Sequence, residues 1–134
     1  MCSRAAGAPT PRDATKRVVF GRRVPRVLVL HLKRLMPGYK LDRPVHFDPT
    51  LDLDPFVLGG VERATERDAT RGGFKFRLFA VAVHLGGRSG GHYIAFSAGD
   101  SPRHESWDHI SDSDVRTGDS PYGKQAYMLF YTRV

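Results

Sequence analysis

The 134-residue sequence predicts a domain built on an antiparallel β-sheet with little helix. Three observations carry that expectation. Apolar residues alternate with polar ones, or form short runs of strand length, instead of recurring at helical spacing. Fourteen glycines and nine prolines punctuate these runs, which favours tight connections and interrupts helices. No convincing helical stripe occurs anywhere, and Asp112 to Arg116 is expected to form at most a turn.

The elements follow in chain order. Met1 to Asp13, rich in Ala, Pro and small residues, reads as a flexible lead-in. Lys16 to Phe20 begins β-like, and Val24-Pro25 punctuates it. Arg26 to Arg34 is a strand whose Val27-Leu28-Val29-Leu30 run predicts burial on both faces, its basic end emerging into solvent. Pro37-Gly38 makes a turn, Val45-His46-Phe47 a short strand, and Leu51-Asp52-Leu53-Asp54 alternates with period two. Gly59 to Gly73 is polar and reads as a loop or insertion. Phe74 to His84 alternates and then turns fully apolar, a long strand entering the core from the sheet's edge. Gly86 to Gly91 is a hairpin-like connection, and His92 to Ala98 is its returning strand. Gly99 to His104 is another turn, Glu105 to Ile110 a short strand, and Ala126 to Tyr131 the last one.

Length allows one domain with a real core. Hydrophobic content of 40% and charged content of 26% are ordinary for a globular protein. No apolar run approaches the roughly 18 residues of a membrane span, and Met1 to Thr10 has no apolar leader segment. A single cysteine, Cys2, excludes an internal disulfide framework and points to a reducing compartment. The expectation is an intracellular protein of cytoplasm or nucleus with no membrane partner. The net charge of +7 is concentrated: residues 1 to 40 hold ten Lys/Arg against Asp13 alone. Such a block fits nucleic acid, an acidic protein surface, or local imbalance in a piece of a larger protein. Only Phe20 and Tyr39 lie within it, which argues against a stacking platform for single-stranded nucleic acid.

The chemistry gathers around Ser89-Gly90-Gly91-His92-Tyr93-Ile94-Ala95-Phe96 and, downstream, Trp107-Asp108-His109-Ile110-Ser111-Asp112. A histidine leaves a glycine-rich turn at the head of an apolar strand, and a Ser-Asp pair lies one hairpin away. That is how a fold offers an imidazole to a nucleophile while a third group orients it. Yet Cys2 is the one cysteine, and no serine has a nucleophile-elbow context. Half of a catalytic site is legible; a satisfied, half-buried strand-end histidine is the plainer alternative.

Five blocks in order resemble a known family. Pro25-Arg26-Val27-Leu28-Val29-Leu30-His31-Leu32-Lys33-Arg34 looks like its strand of proline, apolar run and Leu-Lys-Arg. Val83-His84-Leu85-Gly86, then Gly91-His92-Tyr93, then Trp107 with Ser111-Asp112-Ser113-Asp114-Val115, and finally Gln125 to Tyr131 follow. These resemble the C-terminal blocks of the catalytic domain in ubiquitin-specific proteases, papain-like cysteine peptidases that remove ubiquitin from proteins. The resemblance covers about residues 14 to 133. It implies an α+β, papain-like fold, of which residues 14 to 134 would be the β-rich part carrying the histidine.

By position, the resemblance makes His92 the general base. The orienting residue, usually Asp or Asn, falls four after the tryptophan, on Ser111, with Asp112 next to it. A minority of the family is similar in having Ser there, including a histone-directed group that Trp107 to Asp112 and Leu51 to Phe56 resemble most. His84, Gly91 and Tyr93 would flank the channel for ubiquitin's narrow Gly-Gly tail; a packed strand-end role for His84 stays open. Trp107 would anchor the orienter's loop, and Tyr127 and Tyr131 would serve the faces of the last strand. The family's nucleophilic cysteine lies in a far-upstream block, and Cys2 lacks its flanking residues. Cys2 better matches the last cysteine of the family's zinc ribbon, so no zinc site closes and no cofactor is expected. The expected partners are ubiquitin, ubiquitinated proteins and the remaining, thiol-bearing half of the domain. The chain alone would be inactive, with an inactive ubiquitin-binding remnant and a basic nucleic-acid-binding β domain as the alternatives.

Overall fold

The structure, a computed structural model, describes residues 19–21, 24–57, 73–87, 89–99, 106–123 and 125–134. The lead-in with Cys2, the start of the Lys16 to Phe20 segment and nearly all of the Gly59 to Gly73 loop lie outside the described residues. Nine strands are present among those described: β1 (Val27–His31), β2 (Leu35–Met36), β3 (Tyr39–Lys40), β4 (Thr50–Asp52), β5 (Lys75–Gly87), β6 (Gly90–Ser97), β7 (Asp108–Ser111), β8 (Asp114–Thr117) and β9 (Ala126–Arg133). One 3₁₀ turn, Asp54–Phe56, is the helical element among the described residues.

Seven strands form one antiparallel sheet in the order β1-β9-β5-β6-β7-β8, with β4 also paired to β5. β5 is its axis. One edge meets β9 from Phe76 to Val83; the other meets β4 through its first three residues and β6 from Ala80 to Gly87. β9 keeps register with β5 through two shifts, between Leu78 and Ala80 and between Ala82 and Val83. Such irregularities bend and twist a strand locally. β2 and β3 make a separate two-stranded hairpin over the expected Pro37-Gly38 turn, where Gly38 takes a φ of 91° that glycine adopts without strain.

The alternation of β5 buries Phe76, Leu78, Val81 and Val83 almost completely on one face, where Phe96, Leu129, Tyr131 and Trp107 join them. Each large side chain removed from water there contributes about 1.5–3 kcal/mol. Tyr131 is buried to its hydroxyl, which donates to the Asp48 carbonyl at 2.9 Å. Burial, with Tyr122 and Asp48 adding to it, pushes its phenol up to about 12.

Four local expectations differ from the structure. Among the described residues, the Val27–Leu30 run is an edge strand paired only with β9; Leu28 is buried, but Val27 and Val29 remain 48% and 44% exposed on the other face. A continuous apolar run shows that both faces favour burial, and here only one is covered. Lys33 is exposed while Arg34 is 3% exposed. The Arg34 Nε donates to the Ala126 carbonyl at 2.6 Å, and its Nη1 to those of Leu41 and Arg43 at 3.0 and 2.7 Å. A planar guanidinium fork satisfies several carbonyls where two segments cross, which keeps it inside. Val45-His46-Phe47 lies in an irregular segment. Finally, Asp114–Thr117 pairs with β7 as a full strand, so the region expected as a turn is the second arm of a hairpin.

Candidate active site

β5 and β6 form the hairpin that presents the expected histidine. Its last register pairs are His84 with Tyr93, Leu85 with His92, Gly86 with Gly91 and Gly87 with Gly90. Gly86 has a φ of 92°, and a side chain there would press on the Gly90 carbonyl at 2.9 Å. Glycine is therefore required for this turn on both conformational and steric grounds. Gly91 is constrained differently: a Cβ on it would run into the Leu85 carbonyl and the His84 ring.

Because side chains alternate along a strand, His92 and Tyr93 leave β6 on opposite faces. On the side of His92, β7 brings Ser111 to its end. The His92 Nε2 and the Ser111 Oγ are 2.8 Å apart. The Asp112 carboxylate stands 3.9 Å from the same nitrogen, with its side chain 84% exposed. Asp112 has a φ of 52° and occupies the first place of the two-residue connection between Ser111 and Asp114. Positive φ at this place suits tight hairpins between twisted strands, and Asp tolerates it better than most residues. His92, Ser111 and Asp112 thus form one cluster, and the His92 side chain remains 43% exposed and open to a reactant.

Two packed layers hold this cluster. Phe96 is fully buried and meets the His109 ring edge-on at 5.2 Å, joining β6 to β7. Trp107 is buried just before β7, its carbonyl accepts the Gly118 N–H at 3.0 Å, and its ring meets Tyr122 at 6.1 Å. Trp107 is thus packed directly before the strand that carries Ser111.

On the other side, His84 is 5% exposed, with its ring 4.7 Å from Tyr93 and 5.9 Å from Tyr127. Tyr127 also meets Tyr93 at 5.8 Å and the His31 ring at 4.7 Å. His84, Gly91 and Tyr93 therefore come together, as an aromatic cluster beside the hairpin and apart from Ser111. The Nδ1 of His84 is buried with no partner among the described residues. Tyr127 and His31 join this cluster without having been expected in it; their ring types were visible, but their convergence depends on the register shift in β9. Lys40 was also missed. Its Nζ donates to the His84 and Gly86 carbonyls, both at 2.8 Å, and so ties the β2–β3 hairpin to the end of β5. A lysine after a turn carries no local signal of that role.

Among the described residues, no group of three His, Cys, Asp or Glu side chains gathers closely enough to hold a metal ion, and no helix is long and apolar enough to cross a membrane.

Comparison with known proteins agrees with this geometry. The family model for ubiquitin carboxyl-terminal hydrolase matches residues 14–131. The probable ubiquitin carboxyl-terminal hydrolase 7 of Schizosaccharomyces pombe is 32% identical over 155 residues, covering 92% of this chain and 17% of that protein. Human ubiquitin carboxyl-terminal hydrolase 15 is 36% identical over 129 residues, covering 91% of this chain and 12% of that protein. Among solved structures, the SAGA Ubp8/Sgf11/Sus1/Sgf73 DUB module bound to ubiquitin aldehyde matches with a TM-score of 0.63 and 32% identity, over 81% of this chain and 24% of that one. The chain thus spans less than a fifth of these curated relatives. The sheet, the order of the blocks and the family match over residues 14–131 place this chain in the ubiquitin carboxyl-terminal hydrolase family.

Proposed function

We propose that this chain supplies the base-bearing part of a thiol-dependent deubiquitinating centre, which hydrolyses the peptide or isopeptide bond after the C-terminal glycine of ubiquitin. The carrying observation is the 2.8 Å contact between His92 Nε2 and Ser111 Oγ. With the serine oxygen accepting from Nε2–H, the proton-free nitrogen of the ring is Nδ1. Nδ1 then takes the proton of a cysteine thiol carried by a segment outside these 134 residues. The thiolate attacks the glycine carbonyl, and the imidazolium returns the proton to the leaving amine as the carbon–nitrogen bond breaks. In the second half, Nδ1 takes a proton from water, the hydroxide displaces the thiolate, and ubiquitin leaves with a free carboxylate.

Ser111 holds the ring by a neutral oxygen and gives the imidazolium no full counter-charge. Asp112 supplies that charge from 3.9 Å, weakened by its exposure. His84, Gly91 and Tyr93 form the wall for the ubiquitin tail, where the bare Gly91 backbone lets the His84 ring and the Leu85 carbonyl pack directly against it. The partners of this reading are ubiquitin and its conjugates, and its single cysteine suits a reducing intracellular compartment.

The test uses ¹⁵N-ubiquitin and ubiquitin vinyl sulfone. The chain should shift signals of the ubiquitin C-terminal tail and form no covalent adduct by itself. Joined to its thiol-bearing segment it should form the adduct, and His92→Ala should slow that by roughly 10²–10⁴-fold. An unperturbed ubiquitin tail, or an adduct on Cys2, would overturn the proposal.

A further inference from the structure

Among the described residues, the buried Arg34 meets no acidic side chain. All three of its acceptors are neutral carbonyls, and its Nη2 is buried with no partner among the described residues. A guanidinium cannot discharge itself by losing a proton, and a buried charge is costly unless an opposite charge meets it. Arg34 lines an open pocket of about 450 Å³ together with Leu32, Lys33, Leu41, Arg43 and Val45. Among the described residues its lining therefore holds three cations, three aliphatic side chains and no acid. Lys33 and Arg43 are exposed, and Leu41 and Val45 are each 41% exposed, so the pocket presents charge and uncovered apolar surface side by side.

We propose that this pocket binds an acidic peptide segment, placing a carboxylate among Arg34, Lys33 and Arg43 and a neighbouring aliphatic side chain against Leu32, Leu41 and Val45. Charge complementarity selects the acid, because the lining supplies only positive charge. The aliphatic half selects a peptide over a bare anion, since inorganic phosphate would leave that half wet. The volume suits one or two side chains. The site does not depend on His92, so it stands or falls separately from the deubiquitinating centre.

The experiment is a methyl NMR titration of the 134-residue chain with the peptide acetyl-Leu-Glu-Leu-Glu-Leu-amide. Saturating shifts at Leu32, Leu41 and Val45 are expected. The Gln-for-Glu peptide should bind roughly fivefold more weakly or worse, and inorganic phosphate should leave those methyls in place. The double substitution Lys33→Ser with Arg43→Ser changes exposed side chains and should weaken the acidic peptide several-fold. Arg34→Leu should abolish binding; if it also disrupts the fold, the double variant decides. Silent methyls, equal binding of the Gln peptide, saturation by phosphate, or a double variant that binds normally would each overturn the proposal.

Discussion

Along β5, Phe76, Leu78, Val81 and Val83 are at most 1% exposed, whereas all four residues of β8 are exposed. Both strands belong to the same sheet. β5 has neighbours on both edges and a covered face, so the side chains on that face are each held by several others. β8 is the sheet's last strand, with an ion pair between Arg116 and Asp114 at 2.8 Å along its own length. Stability is made at the axis, and the imidazole is presented near the rim. Between them, Phe96 and His109 carry the position of the axis outward to Ser111. The difference shows how a histidine can stay accessible yet well oriented: the His92 ring is open while the strand behind it is packed.

The largest test of this contrast is truncation. Leu78→Ala should cost about 3–5 kcal/mol in urea unfolding, from lost transfer free energy and a residual cavity. Val115→Ala on β8 should stay within about 0.5 kcal/mol; equal losses would break the comparison. Gly91→Ala comes next, at roughly 1–3 kcal/mol, because the new methyl meets a backbone carbonyl and the His84 ring. The proposed ubiquitin contact should weaken in the same titration. Alkaline unfolding is a third test. Burial, with Tyr122 and Asp48 adding to it, pushes the folded phenol of Tyr131 up to about 12 from its ordinary 10.0, so the unfolded chain loses its proton first. Stability from this group is complete below pH 10 and declines as pH rises toward 12, by roughly 1–2 kcal/mol. Tyr131→Phe should flatten that decline in a pH series of denaturation midpoints. Ser111→Ala should change stability least, by under about 1 kcal/mol. Its effect belongs to the ring: imidazole ¹⁵N spectra should move His92 from one dominant tautomer toward a mixture. An unchanged spectrum would remove Ser111 as the orienting group.

Much of the axis was legible in the sequence. The alternation from Phe74 onward, the glycine turn and the returning strand all appear near their expected places, because each depends on its own side chains and on local turn chemistry. The cluster of His92, Ser111 and Asp112 was also legible, through motif order and the count from Trp107. Other features are decided by distant parts of the chain. Arg34 is buried because the Ala126 carbonyl, 92 positions away, accepts from it. β1 is an edge because no described strand pairs with its second side. Asp114–Thr117, with one apolar residue in four, becomes a strand because β7 offers it a ladder. The aromatic cluster around Tyr127 needs a bulge that no side-chain pattern announces.

Lys40 gives the molecule a mechanical property as well. Its ammonium accounts for two carbonyls of β5, at His84 and Gly86, from the far arm of a separate hairpin. If the β2–β3 hairpin swings away, both carbonyls lose a charged donor together. If the glycine turn flexes, it pulls on the same tether. The two segments therefore behave as a latch, in which one amino group decides whether they open singly or as a pair.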